Sequence, residues 1–117
     1  MKPILTILMM CFAIPGLVYS QSITAADSTE IAQKIDDWNS GWVENDYELA
    51  TKWYSDQAEF TNAFGHNMIG KSEIRKLLKD VFSLPFVMAG SSRVAAQKMV
   101  PVSENVVLVI TQIERTG

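Results

Sequence analysis

The side chains able to do chemistry are few, and the single histidine sets the question. His66 follows Gly65. Imidazole is the one side chain whose unperturbed titration falls near neutral pH, which makes His66 the candidate catalytic acid or base. Asn62 offers an amide that can orient a bound molecule but cannot take a proton at neutral pH. Tyr54 offers a phenol, and Trp38 and Trp42 each offer an indole N–H on a large apolar ring. Phe60 adds an apolar wall two residues before Asn62. Trp38, Trp42, Tyr54, Phe60 and Asn62 are therefore the candidate pocket lining, with His66 at its mouth. Each has a plainer reading beside it. Trp38 and Trp42 also suit core packing, Tyr54 also suits the core's edge, Asn62 also suits backbone satisfaction at a strand end, and His66 also suits a solvated loop.

Other chemistries find no support. One histidine and one cysteine, Cys11, give no cluster with zinc-ligand spacing. Gly65-His66-Asn67-Met68-Ile69-Gly70-Lys71-Ser72 formally matches a phosphate-binding loop. Such a loop follows a buried strand in a parallel βαβ unit, and no βαβ pattern surrounds this one. No metal or cofactor is expected.

The elements that must position these residues follow from periodicity. Asp27 and Glu30 form a capping-box-like start. Ile31, Ile35, Trp38 and Trp42 then hold helical spacing. Asn45-Asp46 ends that helix and caps a second, from Tyr47 to about Tyr54. Ala58, Phe60 and Asn62 alternate with Glu59 and Thr61, as in a strand. Phe64 to Asn67 is a loop or hairpin turn. Ser72 is the expected N-cap of a third helix carrying Ile74, Leu77, Leu78, Val81 and Phe82, and Leu84-Pro85 stops it. Two strands close the chain, 92–102 and 106–115, around a turn at Ser103-Glu104-Asn105. Val106 to Ile110 is continuously apolar, as in a strand buried on both faces. Helices gathered early and strands late predict an α+β domain, its helices packed on one face of a mainly antiparallel sheet.

The N-terminus reads as a separate module. Lys2 is the only charge before Asp27, Ile4 to Ile14 is apolar or small, and Pro15-Gly16 breaks the run. Val18-Tyr19-Ser20 then suits cleavage before Gln21. These are the three regions of a secretory signal peptide, so residues 1–20 are expected to be removed and the product to be periplasmic or secreted. The run is short of the roughly 20 apolar residues of a spanning helix, so no stable membrane anchor is expected after cleavage. Leu8-Met9-Met10 lacks the small residues that precede a lipidated cysteine. Cleavage leaves no cysteine, so the mature core holds without disulfides. It also leaves nine basic against 13 acidic residues, a net charge of −4. With no basic patch or run, nucleic-acid binding is not expected.

The ordered motifs resemble a known family. Trp42 to Asp46 and Tyr54-Ser55-Asp56-Gln57-Ala58-Glu59-Phe60 carry the likeness, continued by Asn62-Ala63-Phe64-Gly65 and Gly70-Lys71-Ser72-Glu73-Ile74. Over residues 27–117 the chain resembles the nuclear transport factor 2-like superfamily, nearest its SnoaL-like SgcJ/EcaC group. The resemblance implies a cystatin-like cone: a curved, mainly antiparallel sheet wrapped by N-terminal helices, with a pocket inside and homodimerisation through the sheet's outer face. It also implies two further strands after Gly117, so the domain is expected to be C-terminally truncated. Within the superfamily, Asn62 falls where isomerase relatives place a general-base carboxylate, and Trp38 near their oxyanion-stabilising phenol. An amide and an indole do not serve those roles, so the isomerase mechanism does not carry over.

The expected function is that of an exported small-molecule pocket protein. Two alternatives stand beside it. One is an isomerase-, cyclase- or hydrolase-type enzyme on a small apolar or polyketide-like substrate, with His66 as acid or base. The other is a non-catalytic homodimerisation module.

Overall fold

A computed structural model describes residues 22–117. The expected signal peptide lies outside the described residues. Eight elements follow in order: α1 (Ala25–Glu44), α2 (Tyr47–Thr51), β1 (Glu59–Thr61), β2 (Asn67–Ile69), α3 (Lys71–Phe82), α4 (Pro85–Met88), β3 (Ser91–Ser103) and β4 (Val106–Thr116). The α+β class and the antiparallel pairing match the sequence reading.

Helix α1 begins two residues before the expected Asp27. Thr24 is its N-cap, with the hydroxyl oxygen accepting from the Asp27 N–H at 3.1 Å, and Asp27 lies in the first turn where a carboxylate favours the helix dipole. Asn45, in the left-handed conformation at φ 57°, ends α1. Asp46 then caps α2, as its position in the sequence predicts, accepting from Leu49 N–H at 2.9 Å. The two helices approach closely because Gly41 has no side chain. A Cβ there would sit 2.5 Å from the Ala50 backbone nitrogen.

Strands β1 and β2 form a short antiparallel hairpin, with Phe60 opposite Met68. Ser72 does not cap α3. The cap position is Gly70, at φ 95°, with no side-chain capping bond. The Gly70 N–H donates to Ala58 O at 2.7 Å, which fixes the chain as it leaves β2 and starts the helix at Lys71. Lys71 Nζ meanwhile donates to the Lys52 carbonyl at 2.9 Å, beyond the end of α2. The Gly-Lys-Ser triplet thus follows an antiparallel hairpin, and its lysine ties two helices together.

The core is Ala50, Ile74, Leu78 and Phe82, flanked by Trp38, Trp42, Tyr47, Tyr54, Phe60 and Met68 among others. Every contributor comes from α1 to α4 or the segment around β1–β2. Strands β3 and β4 pair only with each other, through a two-residue turn at Glu104-Asn105, with register irregularities at Val94/Ala96 and Pro101/Ser103. Val106 to Ile110 is not buried on both faces. Val107 and Val109 are half-buried, whereas Val106, Leu108 and Ile110 are 51%, 51% and 52% exposed. The reason is that only one face of this two-stranded sheet turns toward α1, and no described element covers the other.

Candidate functional site

The α1 stripe serves two surfaces. Its Trp38 and Trp42 pack on the core. Residues of the same helix also face the β3–β4 sheet across a cleft. At the middle of the cleft is a cavity of about 370 Å³, walled by Ile31, Ile35, Trp38, Tyr54, Trp53 and Ile113 and completed by Lys34, Asn39, Ala50 and Thr111. That volume falls in the range of roughly 300–1,000 Å³ typical of small-molecule sites. Smaller spaces continue past Trp38 and Asn39 toward Trp42 and Arg115.

Trp38 is held from three sides. Its ring centroid lies 5.7 Å from that of Trp42, 5.8 Å from Tyr54 and 6.1 Å from Phe60. The first two are edge-to-face contacts, the geometry favoured by the ring quadrupoles. Trp42 in turn meets Phe82 at 4.7 Å. Its Nε1–H is buried and has no partner among the described residues. The Tyr54 phenol is pushed above its ordinary value by burial, which disfavours the phenolate.

The cavity's rim is charged but balanced. Lys34 Nζ bonds Glu30 at 2.8 Å, one helical turn away. Trp53 donates its indole N–H to Asp37 at 2.7 Å, and Lys52 pairs with the same carboxylate at 3.2 Å. The indole bond first, then the Lys52 and Gln33 bonds, hold the Asp37 carboxyl below its usual value. The ammonium groups of Lys34 and Lys52 lie 5.0 and 4.7 Å from the Trp53 ring centroid, within cation–π range.

Of the residues singled out from sequence, Trp38 and Tyr54 line this cavity, Trp42 lines its extension, and Phe60 supports Trp38 from behind. Asn62 and His66 come together elsewhere, in the loop joining β1 to β2. The Asn62 Oδ1 accepts from the backbone N–H groups of Phe64 and His66, each at 3.0 Å, and its Nδ2 lies 3.2 Å from His66 Nδ1. The amide thus holds the turn, and neither residue is among those walling the cavity. Sequence reading missed Lys34, Asn39, Trp53, Thr111 and Ile113. Lys34 was legible in principle, since it follows Ile31 by three residues on a helix whose stripe was recognised. Thr111 and Ile113 carried no local signal, because the strand that presents them is about 70 residues further along the chain.

Among the described residues, no group of three His, Cys, Asp or Glu side chains is placed to hold a metal ion, and no helix is long and apolar enough to cross a membrane. The arrangement is a half-open cleft that can seat a small apolar molecule beside polar side chains from α1, the segment after α2, and β4.

No family model matches the sequence, and no curated protein matches it. One solved structure does resemble it: a crystal structure of a domain of unknown function with a cystatin-like fold from Nostoc punctiforme. The likeness covers 81% of this chain and 59% of that one, at 20% identity and a TM-score of 0.63. The chain thus spans somewhat over half the length of the structure it matches. What the likeness shows is the fold: helices and antiparallel strands in a cystatin-like arrangement.

Proposed function

We propose that this chain is an exported small-molecule pocket protein, of the SnoaL-like kind within the nuclear transport factor 2-like superfamily and nearest its SgcJ/EcaC group. The observation that carries the reading is the cavity between α1 and β4, where Trp38, Tyr54 and Ile113 form apolar walls beside a few uncharged polar side chains. Apolar concavities with few polar groups are the usual form of such sites. In this reading the two small sheets belong to one curved, cone-like surface, with the cavity on its inner side. The half-exposed Val106, Leu108 and Ile110 on the outer side form the contact with a second copy. Export rests on Lys2, the apolar run and the Val18-Tyr19-Ser20 end.

Ligand-observed nuclear magnetic resonance on the exported protein tests the pocket. Neutral one- and two-ring compounds are expected to show saturation transfer that a cavity-filling Thr111→Trp variant loses. Undiminished binding by that variant would place the ligand elsewhere. Intact mass of the exported product tests the first step, with an N-terminus at Gln21 expected and a soluble product retaining Met1 against it.

A further inference from the structure

We propose that the turn between β1 and β2 is a proton-sensitive device: Asn62 holds His66 as the neutral imidazole protonated at Nε2, and uptake of a proton at Nδ1 releases the ring from Asn62. The Asn62 Oδ1 accepts from the backbone N–H groups of Phe64 and His66, each at 3.0 Å. Turning the amide over would set its NH2 group against those two donors, so its orientation is fixed. Nδ2 is therefore the atom that lies 3.2 Å from His66 Nδ1. An amide NH2 only donates, so Nδ1 accepts with its lone pair and the ring proton sits on Nε2. The backbone keeps the two residues in place. Asn62 N–H donates to His66 O and Gly65 N–H donates to Asn62 O, both at 3.1 Å, and Gly65 supplies the positive φ of 82° that the tight loop requires.

In the closed state the ring's outer nitrogen carries its proton. It offers solvent a donor and no lone pair, so His66 takes a proton from a ligand, or binds a metal ion, only after giving up its bond to Asn62. A second ring proton goes to Nδ1, and N–H then faces N–H. The amide cannot turn to relieve this, because Oδ1 is committed to two backbone donors. The ring is what moves, and it is exposed, with water to receive it. Among the described residues no carboxylate pairs with His66 to hold the imidazolium in place. The one ionisable residue of β1 and β2 is Glu59, opposite Ile69 at the end of the hairpin away from the turn. Helix α3 packs on both strands. Its Lys71 is bound to the Lys52 carbonyl, Arg75 to Glu48 and Glu73 to Lys76, while Lys79 and Asp80 lie at its far end. The released imidazolium places a positive charge two residues from Phe64, which is 85% exposed. The turn thus has a neutral, closed tip in one state and a cationic tip in the other.

Nuclear magnetic resonance of the nitrogen-labelled protein across the imidazole titration is the test. With the ring neutral, Nδ1 is expected to be unprotonated, with an Overhauser contact between the Asn62 NH2 and the ring Cε1–H. That contact is expected to vanish as the ring gains its second proton, while the Phe64 and His66 backbone amides keep their hydrogen bonds. Two variants sharpen the result, since an unconstrained imidazole already leans toward the Nε2–H form. Asn62→Asp keeps an oxygen for the two backbone donors and sets a second one against Nδ1, so the neutral ring should switch to the Nδ1–H form. In Asn62→Ala the ratio of Nε2–H to Nδ1–H forms should fall by roughly three- to tenfold, the worth of one neutral hydrogen bond. A proton on Nδ1 in the neutral native ring overturns the proposal, as does a contact with Asn62 that persists through the titration or an Asn62→Asp protein that stays in the Nε2–H form. The native spectra decide the matter even where a variant fails to fold.

Discussion

The helical body and the β3–β4 sheet are built from similarly apolar segments and reach opposite outcomes. In the body, Ile74 and Leu78 are 0% and 1% exposed. In the sheet, Ile110 and Ile113 are both 52% exposed. The difference is partners. Helix α3 buries its stripe against α2, the β1–β2 hairpin and the rings of α1. The sheet meets α1 across a cleft, and β4 is tied to the end of α4, where Arg115 donates to the carbonyls of Val87 and Ala89. Stability therefore resides in the first region, and the second supplies the wall of the proposed pocket. Apolar sequence alone does not distinguish them, since the same residue types build either a packed core or a wall facing a cavity.

Substitutions on the two sides should separate sharply. Leu78→Ala should have the largest effect, a loss of about 2–5 kcal/mol for emptying a filled core site, read as a lower midpoint in denaturant unfolding. A cost under about 1 kcal/mol there would mean that the body is as loosely packed as the sheet. Gly41→Ala should come next, at about 1–3 kcal/mol, because the new methyl meets Ala50 backbone that cannot rotate away. Ile113→Ala should cost well under the Leu78 change, about 1 kcal/mol or less given its exposure, yet weaken binding of the neutral two-ring compounds proposed for the cavity several-fold. Calorimetry checks the pair of values. Equal stability losses at residues 78 and 113 would erase the division between body and wall.

The smallest effect concerns Asp37. Its folded-state pKa lies below the unfolded value, so its contribution is present above the unfolded carboxylate range and is lost as pH falls through the folded pKa. Asp37→Asn should lower the neutral-pH plateau of a melting-temperature profile slightly and leave its low-pH end unmoved, so that the acid limb flattens. A steeper acid limb in the variant would contradict this sign.

Much of the body was legible in the sequence. The Ile31-Ile35-Trp38-Trp42 stripe, the Asp46 cap and the α3 periodicity are local patterns, and local patterns fix helices. Thr24 and Gly70 were missed as caps for different reasons. Thr24 lies in a polar leader with no pattern of its own, and Gly70 is set by a hydrogen bond to Ala58 that only the folded hairpin supplies. Half of the candidate site was legible as well, through Trp38 and Tyr54. The other half depends on β4 lying across α1, a contact between segments about 70 residues apart. Asn62 and His66 did come together as their four-residue spacing allowed, but the turn between them absorbed the amide.

The meeting of Trp38 and Trp42 has an optical consequence. Their ring centroids are 5.7 Å apart and their planes cross at 62°. Two identical chromophores this close and this oblique are expected to share their excited states, giving the folded protein an oppositely signed pair of bands in its ultraviolet circular dichroism. Trp38 also lines the cavity. A guest seated against that ring would shift the pair's intensity without any attached dye, which would give the proposed pocket its own gauge of occupancy.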